Sequence, residues 1–266
     1  MDILNRSLAP IPQEAWSLID EEARELLSLK LTGRKVVDFV GPKGIDFGVV
    51  NTGRLAAMKN KKPEGVNYFK RVVLPLIEVK VPFEMNRAEI EALVRGAVDI
   101  ETDSLMKAAS NFAEAENMAI FNGLEEANIN GIIESSSQIT LEIEENKNKF
   151  ISAIARGIKN MNDEGVDGPY NLLLGQKMYS LVYELDDQGY PLLNKLQNLI
   201  EGEILSVPTL DDKGLLLSDR GGDFELIVGQ DASIGYSQHK DEEIEFFILE
   251  TFTFRCNTPE AAVILK

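Results

Sequence analysis

The chain has 266 residues, of which 44% are hydrophobic and 27% are charged, a composition typical of a globular protein with a sizeable core. Its 27 basic and 44 acidic residues give a net charge of −17, which repels phosphate groups and excludes nucleic acid and anionic membranes as favoured partners. The longest apolar runs are far shorter than the roughly 20 residues that a membrane helix needs. The single cysteine, Cys256, cannot form a disulfide within the chain, so a cytoplasmic location is expected.

The residue inventory argues against an enzyme. His239 is the only histidine, whereas histidine-rich zinc sites and Ser–His–Asp or Cys–His units depend on well-placed imidazoles. His239 lies in a polar run that predicts an exposed turn, and Cys256 ends an alternating strand, which favours a small buried apolar side chain over a nucleophile. No Gly-x-Gly-x-x-Gly or phosphate-loop motif is present. We therefore expect no catalytic residue, no metal site and no cofactor.

Paired carboxylates occur at Asp186-Asp187 and Asp211-Asp212, each followed two residues later by a glycine. Neither pair has the oxygen-ligand spacing of a calcium loop. Both runs predict solvated turns in which Gly189 or Gly214 supplies a positive φ, rather than catalytic carboxylate pairs.

The first predicted element is an amphipathic helix from Pro12 to Leu31. Its apolar side chains recur at intervals of three and four residues, a proline opens it and Gly33 follows it. This stripe predicts a helix that packs on the protein's own core, with its acidic side in solvent. A short strand is predicted over Lys35–Val40.

A basic stretch follows, from Arg54 to Lys80. It contains seven basic and two acidic residues, whereas the rest of the chain contains 20 basic and 42 acidic residues. A basic arm on an acidic body would suit a segment that reaches onto a neighbouring acidic subunit. A solvated lysine loop explains the same residues equally well, so both interpretations stay open.

Strands and helices are mixed in the middle of the chain, which indicates the α+β class. Val72–Phe83 predicts a strand whose Pro75 and Pro82 favour an edge or bulge position. Asp103–Asn122 predicts a long, alanine-rich helix that ends at Gly123. The later elements predicted are a helix from Phe150 to near Gly165, a buried strand at Tyr170–Leu174, and helices on both sides of the Asp186–Pro191 turn.

The C-terminal part predicts a strand with one buried face. Apolar residues from Ile244 to Cys256 alternate with polar ones that include Thr251 and Thr253. Glu250 falls on the apolar face, where a carboxylate needs a partner. A structural salt bridge is the expected role for it, in preference to catalysis.

Ten short motifs are spread over the whole chain: Leu4–Pro10, Trp16, Gly33–Asp38, Gly41–Gly44, Leu74–Glu78, Glu164–Tyr170, Gly189–Leu192, Arg220–Phe224, Gly229–Tyr236 and Glu250–Phe254. Together, in this order and at this spacing, they resemble the encapsulin (linocin-type) family of shell proteins. The match is specific because it extends from the first residues to the last few.

The resemblance implies the Hong Kong 97-type phage capsid fold, with a peripheral domain, an axial domain and an extended loop. Asp103–Asn122 would be the spine helix, and the basic arm would be the loop that pairs with a neighbour. The implied division is 1–46 for the N-terminal helix and the start of the peripheral domain, 47–72 for the extended loop, 73–130 for the peripheral domain with the spine helix, 131–221 for the axial domain, and 222–266 for the C-terminal strands of the peripheral domain.

The resemblance also implies a non-enzymatic, cytoplasmic subunit that assembles in sixty copies or a multiple into an icosahedral compartment. Its cargo enzymes would carry a C-terminal targeting peptide; the usual ones are ferritin-like proteins, dye-decolorising peroxidases and hemerythrins, with roles in iron storage or oxidative stress. Two alternatives are a prophage major capsid protein, which the N-terminal helix and the Gly229–Tyr236 run disfavour, and a peptidase or hydrolase, which the residue inventory disfavours.

Two sites follow from the resemblance. In the first, a peptide groove, apolar side chains would take leucine or isoleucine anchors and Arg34 would bind a carbonyl or carboxylate, although Leu27 and Leu31 could equally be ordinary core residues. The groove residues are Leu27, Leu31, Arg34, Asp38, Asp231, Ile234, Gly235 and Tyr236. The second site is a fivefold pore, where rings of carboxylates favour cations; its lining is Asp186, Asp187, Gln188, Gly189 and Tyr190.

Overall fold

A computed structural model describes residues 3–59, 63–184 and 192–266. The helices in these ranges are α1 (Gln13–Lys30), α2 (Arg87–Val94), α3 (Asp103–Phe121), α4 (Ile132–Ser135), α5 (Lys147–Asp163), α6 (Gln176–Glu184) and α7 (Leu192–Ile200). The strands are β1 (Asp38–Val40), β2 (Val49–Ala57), β3 (Phe69–Pro75), β4 (Ile77–Asn86), β5 (Gly123–Leu124), β6 (Ile129–Asn130), β7 (Tyr170–Leu174), β8 (Glu201–Ser206), β9 (Gly214–Ser218), β10 (Phe224–Val228), β11 (Ser233–Lys240), β12 (Glu243–Cys256) and β13 (Ala262–Leu265). Their mixture confirms the α+β class.

Two sheets contain most of the strands. In the five-stranded sheet the long β12 is central, with β4 antiparallel along one side, β10 and β11 in tandem along the other, and β1 parallel to β10. The order in the four-stranded sheet is β13-β9-β7-β8, with only β7 and β8 parallel. The last strand, β13, therefore pairs with β9 of the 131–221 segment, although the family resemblance groups it with the other C-terminal strands.

The apolar residues form two cores. In the first core, the ring of Trp16 of α1 packs against Phe246 of β12, with centroids 5.4 Å apart, and Phe112 of α3 belongs to the same cluster. In the second core, α5, α6 and α7 cover the four-stranded sheet, and Phe121 and Phe252 extend it to α3 and β12. Helix α3 and strand β12 each contribute to both cores, so these two elements connect the halves of the molecule.

Most of the predicted elements are confirmed. The helices predicted over Pro12–Leu31 and Asp103–Asn122 correspond to α1 and α3, and the buried strand Tyr170–Leu174 is β7, with all five residues buried. The single strand predicted over Val72–Phe83 is wrong: β3 ends at Pro75 and pairs with β2, whereas β4 begins at Ile77 and belongs to the five-stranded sheet. Among the described strands β4 pairs only with β12, which places Pro82 on an edge strand as predicted. Proline fits there because the missing N–H costs no interstrand hydrogen bond on the open side.

The predicted one-sided burial of β12 is wrong. Phe247, Thr251 and Thr253 are only 1–7% exposed, although they lie on the face expected to be polar and open. The backbone N–H of Gly44 donates to the carbonyl oxygen of Gly229 at 2.9 Å, which brings the loop before β2 against this side of the sheet. Both faces of β12 are covered, so the alternation of polar and apolar residues does not predict which of its side chains are buried.

Three local predictions also need correction. His239 is exposed, as expected, but it lies in β11 and not in a turn. In the turn before β9 the positive φ belongs to Asp211 (58°), while Gly214 begins the strand. The strand predicted over Lys35–Val40 is limited to β1, because a 3-10 turn occupies Gly33–Lys35.

The end of α1 is fastened to α3 by Asn117. Its Oδ1 accepts the backbone N–H of Gly33 at 2.9 Å, and its Nδ2 donates to the carbonyl oxygen of Lys30 at 2.8 Å. A Cβ at Gly33 would lie 2.5 Å from Cδ1 of Ile120, so a glycine lets the two helices approach at this point.

We expect Asn117→Ala to destabilise the protein by about 1–3 kcal/mol, because it leaves the backbone N–H of Gly33 without its partner in a buried place and removes one of the two hydrogen bonds to the carbonyl oxygen of Lys30. Asn111→Ala is the matched control: Asn111 is exposed on the same helix, and its replacement should change stability by about 0.5 kcal/mol or less. Thermal unfolding of the two variants beside the wild type measures the difference. Equal effects of the two substitutions would contradict this role of Asn117.

Candidate functional site

A cleft of about 500 Å³ lies between α1 and the segment that leads into β11. One wall is the face of α1 that carries residues spaced by three and four, and the other wall is the 231–234 segment. The lining residues are Leu4, Arg6, Asp20, Ala23, Arg24, Leu27, Ser28, Leu31, Arg34, Lys35, Asp231, Ala232, Ser233, Ile234 and Ile248. The cleft combines apolar side chains with charged ones.

Five of the eight predicted groove residues line this cleft: Leu27, Leu31, Arg34, Asp231 and Ile234. The remaining three lie elsewhere. The Asp38 carboxylate accepts the backbone N–H of Gly222 at 2.6 Å, beside a different, much smaller cavity. Tyr236 is buried, with its hydroxyl 2.5 Å from Nδ1 of His239. Gly235 packs under the N-terminal segment, where a Cβ would lie 2.3 Å from the ring of Phe247.

The N-terminal segment also lines the cleft, through Leu4 and Arg6, which are not among the predicted groove residues. The carbonyl oxygen of Leu4 accepts the backbone N–H of Tyr236 at 2.8 Å. Arg6 bonds Asp20 at 2.6 Å and stacks over the ring of Trp16, 4.0 Å from its centroid. The wall of the cleft that α1 forms could have been identified from the sequence, because Asp20, Ala23, Leu27 and Leu31 have helical spacing.

Arg34 is surrounded by carboxylates. Its Nε and Nη2 contact Glu116 of α3 at 3.0 and 2.6 Å, its Nη2 contacts Glu250 of β12 at 2.5 Å, and its Nη1 contacts Asp231 at 2.9 Å. Glu116 and Glu250 are 1% and 0% exposed. The salt bridge predicted for Glu250 is therefore present. The guanidinium is committed to the protein's own carboxylates, so its predicted role toward an incoming carboxylate is not supported by this geometry.

The charged cluster, defined here as Arg34, Glu116, Asp231 and Glu250, holds three carboxylates around one cation. Burial raises the pKa of Glu250 well above its usual range, and repulsion from Glu116 raises it further, against the opposing effect of Arg34. Burial alone would lower the pKa of Arg34, but the hydrogen bond and charge of Glu116 and the other two carboxylates raise it. The cluster keeps Arg34 charged and raises the pH at which Glu250 loses its proton.

Other candidate chemistry is weakly supported in the described ranges. Burial raises the pKa of the Cys256 thiol to about 11, which suits the predicted inert side chain. No three His, Cys, Asp or Glu side chains in residues 3–59, 63–184 and 192–266 are arranged to hold a metal ion. No helix in these same ranges is long and apolar enough to cross a bilayer. The predicted pore residues Asp186, Asp187, Gln188, Gly189 and Tyr190 lie outside the described residues.

The sequence matches a family model described as "Encapsulating protein for peroxidase" over residues 1–253. It is 43% identical to the type 1 encapsulin shell protein of Rhodospirillum rubrum over 272 residues, covering 100% of this chain and 97% of that one. It is 40% identical to the type 1 encapsulin shell protein of Brevibacterium linens, with full coverage of both chains. The chain belongs to the encapsulin shell-protein family.

The solved structures that resemble this encapsulin support the fold. The virus-like particle of Pyrococcus furiosus matches with a TM-score of 0.65 at 19% identity, over 92% of this chain and 98% of that one. The capsid of the Myoviridae phage XM1 matches with a TM-score of 0.59 at 10% identity, over 88% and 91%. The fold is thus the Hong Kong 97-type capsid fold. The encapsulin relatives are structural shell proteins, a family without enzymatic activity.

The charged cluster of this encapsulin predicts a pH dependence of stability. The folded-state pKa of Glu250 lies above its unfolded value of about 4.5, so its contribution to stability is fully present below that value and is lost as pH rises toward the folded-state pKa. The loss amounts to about 1.4 kcal/mol at most for each pH unit in this window.

We therefore expect Glu250→Gln, whose amide oxygen can still accept from Arg34, to resist thermal unfolding better than the wild type as pH rises from 5 to 9. Scanning calorimetry of the purified protein at each pH measures the gap. Glu243→Gln, an exposed site on the same strand, should run parallel to the wild type. If the stability of Glu250→Gln also runs parallel to that of the wild type over this pH range, the titration of Glu250 does not cause the pH dependence.

Proposed function

We propose that this encapsulin shell encloses cargo proteins in the cytoplasm and that the cleft beside α1 holds their C-terminal targeting peptide. The observation that carries the proposal is the 500 Å³ cleft itself, which brings together five of the residues predicted for peptide binding. Extended peptides bind in grooves that offer separate pockets for alternate side chains. Leu27, Leu31 and Ile234 supply apolar surface for such anchors.

The wall formed by the N-terminal segment is fixed in place. Leu4 and Arg6 line the cleft and are held by the hydrogen bond to Tyr236 and the ion pair with Asp20. A peptide would therefore meet a preformed surface on this side as well.

Filling the cleft tests the proposal. Ser28 lines the cleft with an exposed side chain, so Ser28→Trp should obstruct it without disturbing the core. Ser17 is exposed on the same helix outside the cleft, and Ser17→Trp is the matched control. We expect Ser28→Trp shells to assemble normally and to contain at least tenfold less cargo, while Ser17→Trp shells load like the wild type.

The measurement uses shells co-expressed with the genes that adjoin their own, and mass spectrometry of the purified particles gives the cargo content for each shell subunit. Equal loading of both variants would place the peptide elsewhere. Loss of particles in the Ser28→Trp sample alone would instead show that this position serves assembly.

For the cargo itself, we propose a peroxidase or an iron-binding protein, and hence a role in oxidative stress or iron storage. The matching family model is described as an encapsulating protein for peroxidase, and a relative from Kuenenia stuttgartiensis, 21% identical over 268 residues, is a fusion of a diheme cytochrome and an encapsulin shell. A ferritin-like protein, a dye-decolorising peroxidase or a hemerythrin would fit this role. Sequencing of the copurifying chains and measurement of bound iron test the assignment.

Such cargo needs ions to cross the shell, and we propose that residues 186–190 line a fivefold pore that admits cations. A ring of carboxylates from Asp186 and Asp187 would favour cations over anions. We expect Asp186→Asn with Asp187→Asn to slow uptake of ferrous iron by loaded shells several-fold in stopped-flow experiments. The control is Asp211→Asn with Asp212→Asn, an exposed acidic pair elsewhere. Equal rates in all three proteins would exclude a carboxylate filter.

A further inference from the structure

Strand β11 forms an edge of the five-stranded sheet. It pairs with β12 along one side, and none of the other described strands pairs with it. The backbone groups on its outer side therefore face away from the sheet. An edge of this kind is a template on which another chain in extended conformation can pair.

The N-terminal segment shows which backbone groups of β11 point outward. The N–H of Tyr236 donates to the carbonyl oxygen of Leu4 at 2.8 Å, so it is directed away from β12. In an antiparallel ladder, residues whose backbone groups face the partner strand alternate with residues whose groups face away. The register is regular from Ser233 to Tyr236. Ile234, two residues before Tyr236, therefore also directs its N–H and its carbonyl oxygen outward.

Ile234 lies between two residues whose N–H groups are already bonded. The carboxylate of Asp231 accepts the N–H of Ala232 at 2.8 Å, and Leu4 accepts that of Tyr236. Among the described residues, none bonds the outward N–H or carbonyl oxygen of Ile234. Ile234 is only 5% exposed, and backbone groups in such places are normally paired. It therefore offers one donor and one acceptor to a segment that lies alongside it.

Apolar side chains accompany these backbone groups in the cleft. Ile234 and Ile248 are direct cross-strand partners, and both line the cleft together with Leu27 and Leu31 of α1. Side chains of directly paired residues share one face of a sheet. A residue added opposite Ile234 would therefore place its own side chain beside these four. The cleft can thus hold a partner through its backbone and through its side chains at the same position.

We propose that the targeting peptide of the cargo adds to the edge of β11 as a further strand, with its backbone bonded to the N–H and the carbonyl oxygen of Ile234. This inference rests on the proposed function of the cleft and specifies the chemistry of the partner. The main-chain bonds would supply affinity for any extended segment, and the apolar pockets would supply the selectivity.

The pairing places two requirements on the peptide. Its residues that bond Ile234 need a free backbone N–H, which excludes proline at the donor position. Its apolar anchors should be two residues apart, because alternate side chains of an extended chain point to the same face. A helical peptide meets neither requirement, since its backbone groups are bonded internally and its side chains repeat at intervals of three and four.

Amide hydrogen exchange tests the pairing in the assembled shell. Particles purified with and without co-expressed cargo are compared, and electron-transfer fragmentation of their peptic peptides resolves single amides. We expect exchange of the Ile234 amide to slow at least tenfold in the subunits that hold cargo. The amide of Tyr236, already bonded to Leu4, should change little and is the internal control.

Two results of this experiment would overturn the proposal. One is an Ile234 amide that exchanges equally in loaded and empty particles. The other is slow exchange of Ile234 in empty particles, which would show that a neighbouring shell subunit covers the edge of β11.

A proline scan of the cargo tail is the second test. The probe is a fluorescent protein that carries the C-terminal segment of the copurifying cargo, co-expressed with the shell, and fluorescence for each shell subunit measures loading. Every position of the segment is changed to proline and, as the matched control, to alanine. Because bonded N–H groups recur at every second residue along one side of a strand, proline should reduce loading at least fivefold relative to alanine at alternate positions.

The same scan separates the pairing from the proposed function. If proline is no worse than alanine at any position while the unchanged tail loads normally, the peptide binds without adding a strand and the pairing is wrong. If the unchanged tail fails to load the particles, or loads Ser28→Trp particles equally well, the cleft is not the peptide site and the inference fails with it.

Discussion

The structure depends on one ionic contact at the junction of its two hydrophobic cores. In α3, residues of the first core end at Ala113 and those of the second begin at Ala119, with Glu116 between them. In β12, Ile248 belongs to the first core and Phe252 to the second, with Glu250 between them. Arg34 and Asp231 likewise lie, in their own segments, between residues of one core and residues of the other. Each member of the charged cluster therefore stands where its segment passes from one core to the other.

This arrangement explains why so polar a group is buried. A buried ion pair adds little net stability compared with apolar packing, but removal of one partner is costly because it leaves a charge unpaired in a low dielectric. The cluster connects the loop after α1, the spine helix, the central strand and the 231 segment through a single guanidinium. The charged cluster therefore contributes more to the relative arrangement of these four segments than to the total free energy of folding.

Much of the architecture could be predicted from the sequence, because helical periodicity identifies α1 and α3 and an unbroken apolar run identifies β7. Glu250 was predicted to have a partner for the same reason, since it interrupts an apolar face. Glu116 lies four residues after Phe112 on the buried face of α3, so the same argument predicts a partner for its carboxylate. This prediction was not made. The partners themselves are distant in sequence, and no local pattern shows that Arg34 meets both carboxylates.

Sequence patterns were least informative where burial depends on other segments. The sequence of β12 predicts a half-buried strand because threonines alternate with apolar residues. A hydroxyl can nevertheless be buried when the backbone supplies its hydrogen bond, as the N–H of Gln230 does for Thr251 at 2.8 Å. The family resemblance also places Asp38, Gly235 and Tyr236 in the groove, but none of the three lines the cleft. Neighbouring side chains in a strand face opposite sides, which separates Gly235 from Ile234. Tyr236 is buried beside His239 and Asp38 is bonded to Gly222, and no local sequence pattern shows these contacts.

The charged cluster and the cleft share Arg34 and Asp231, and this has consequences for binding. Asp231 bonds Arg34 at 2.9 Å and also accepts the backbone N–H of Ala232 at 2.8 Å, which fixes the wall opposite α1. On the other side, Asn117 fixes the end of α1 through Lys30 and Gly33. Both walls are therefore held by the spine helix or by its ion-pair partner before any ligand arrives. A groove ordered in advance spends less of its binding free energy on immobilising itself, which supports the proposal that a short peptide with few anchors binds there.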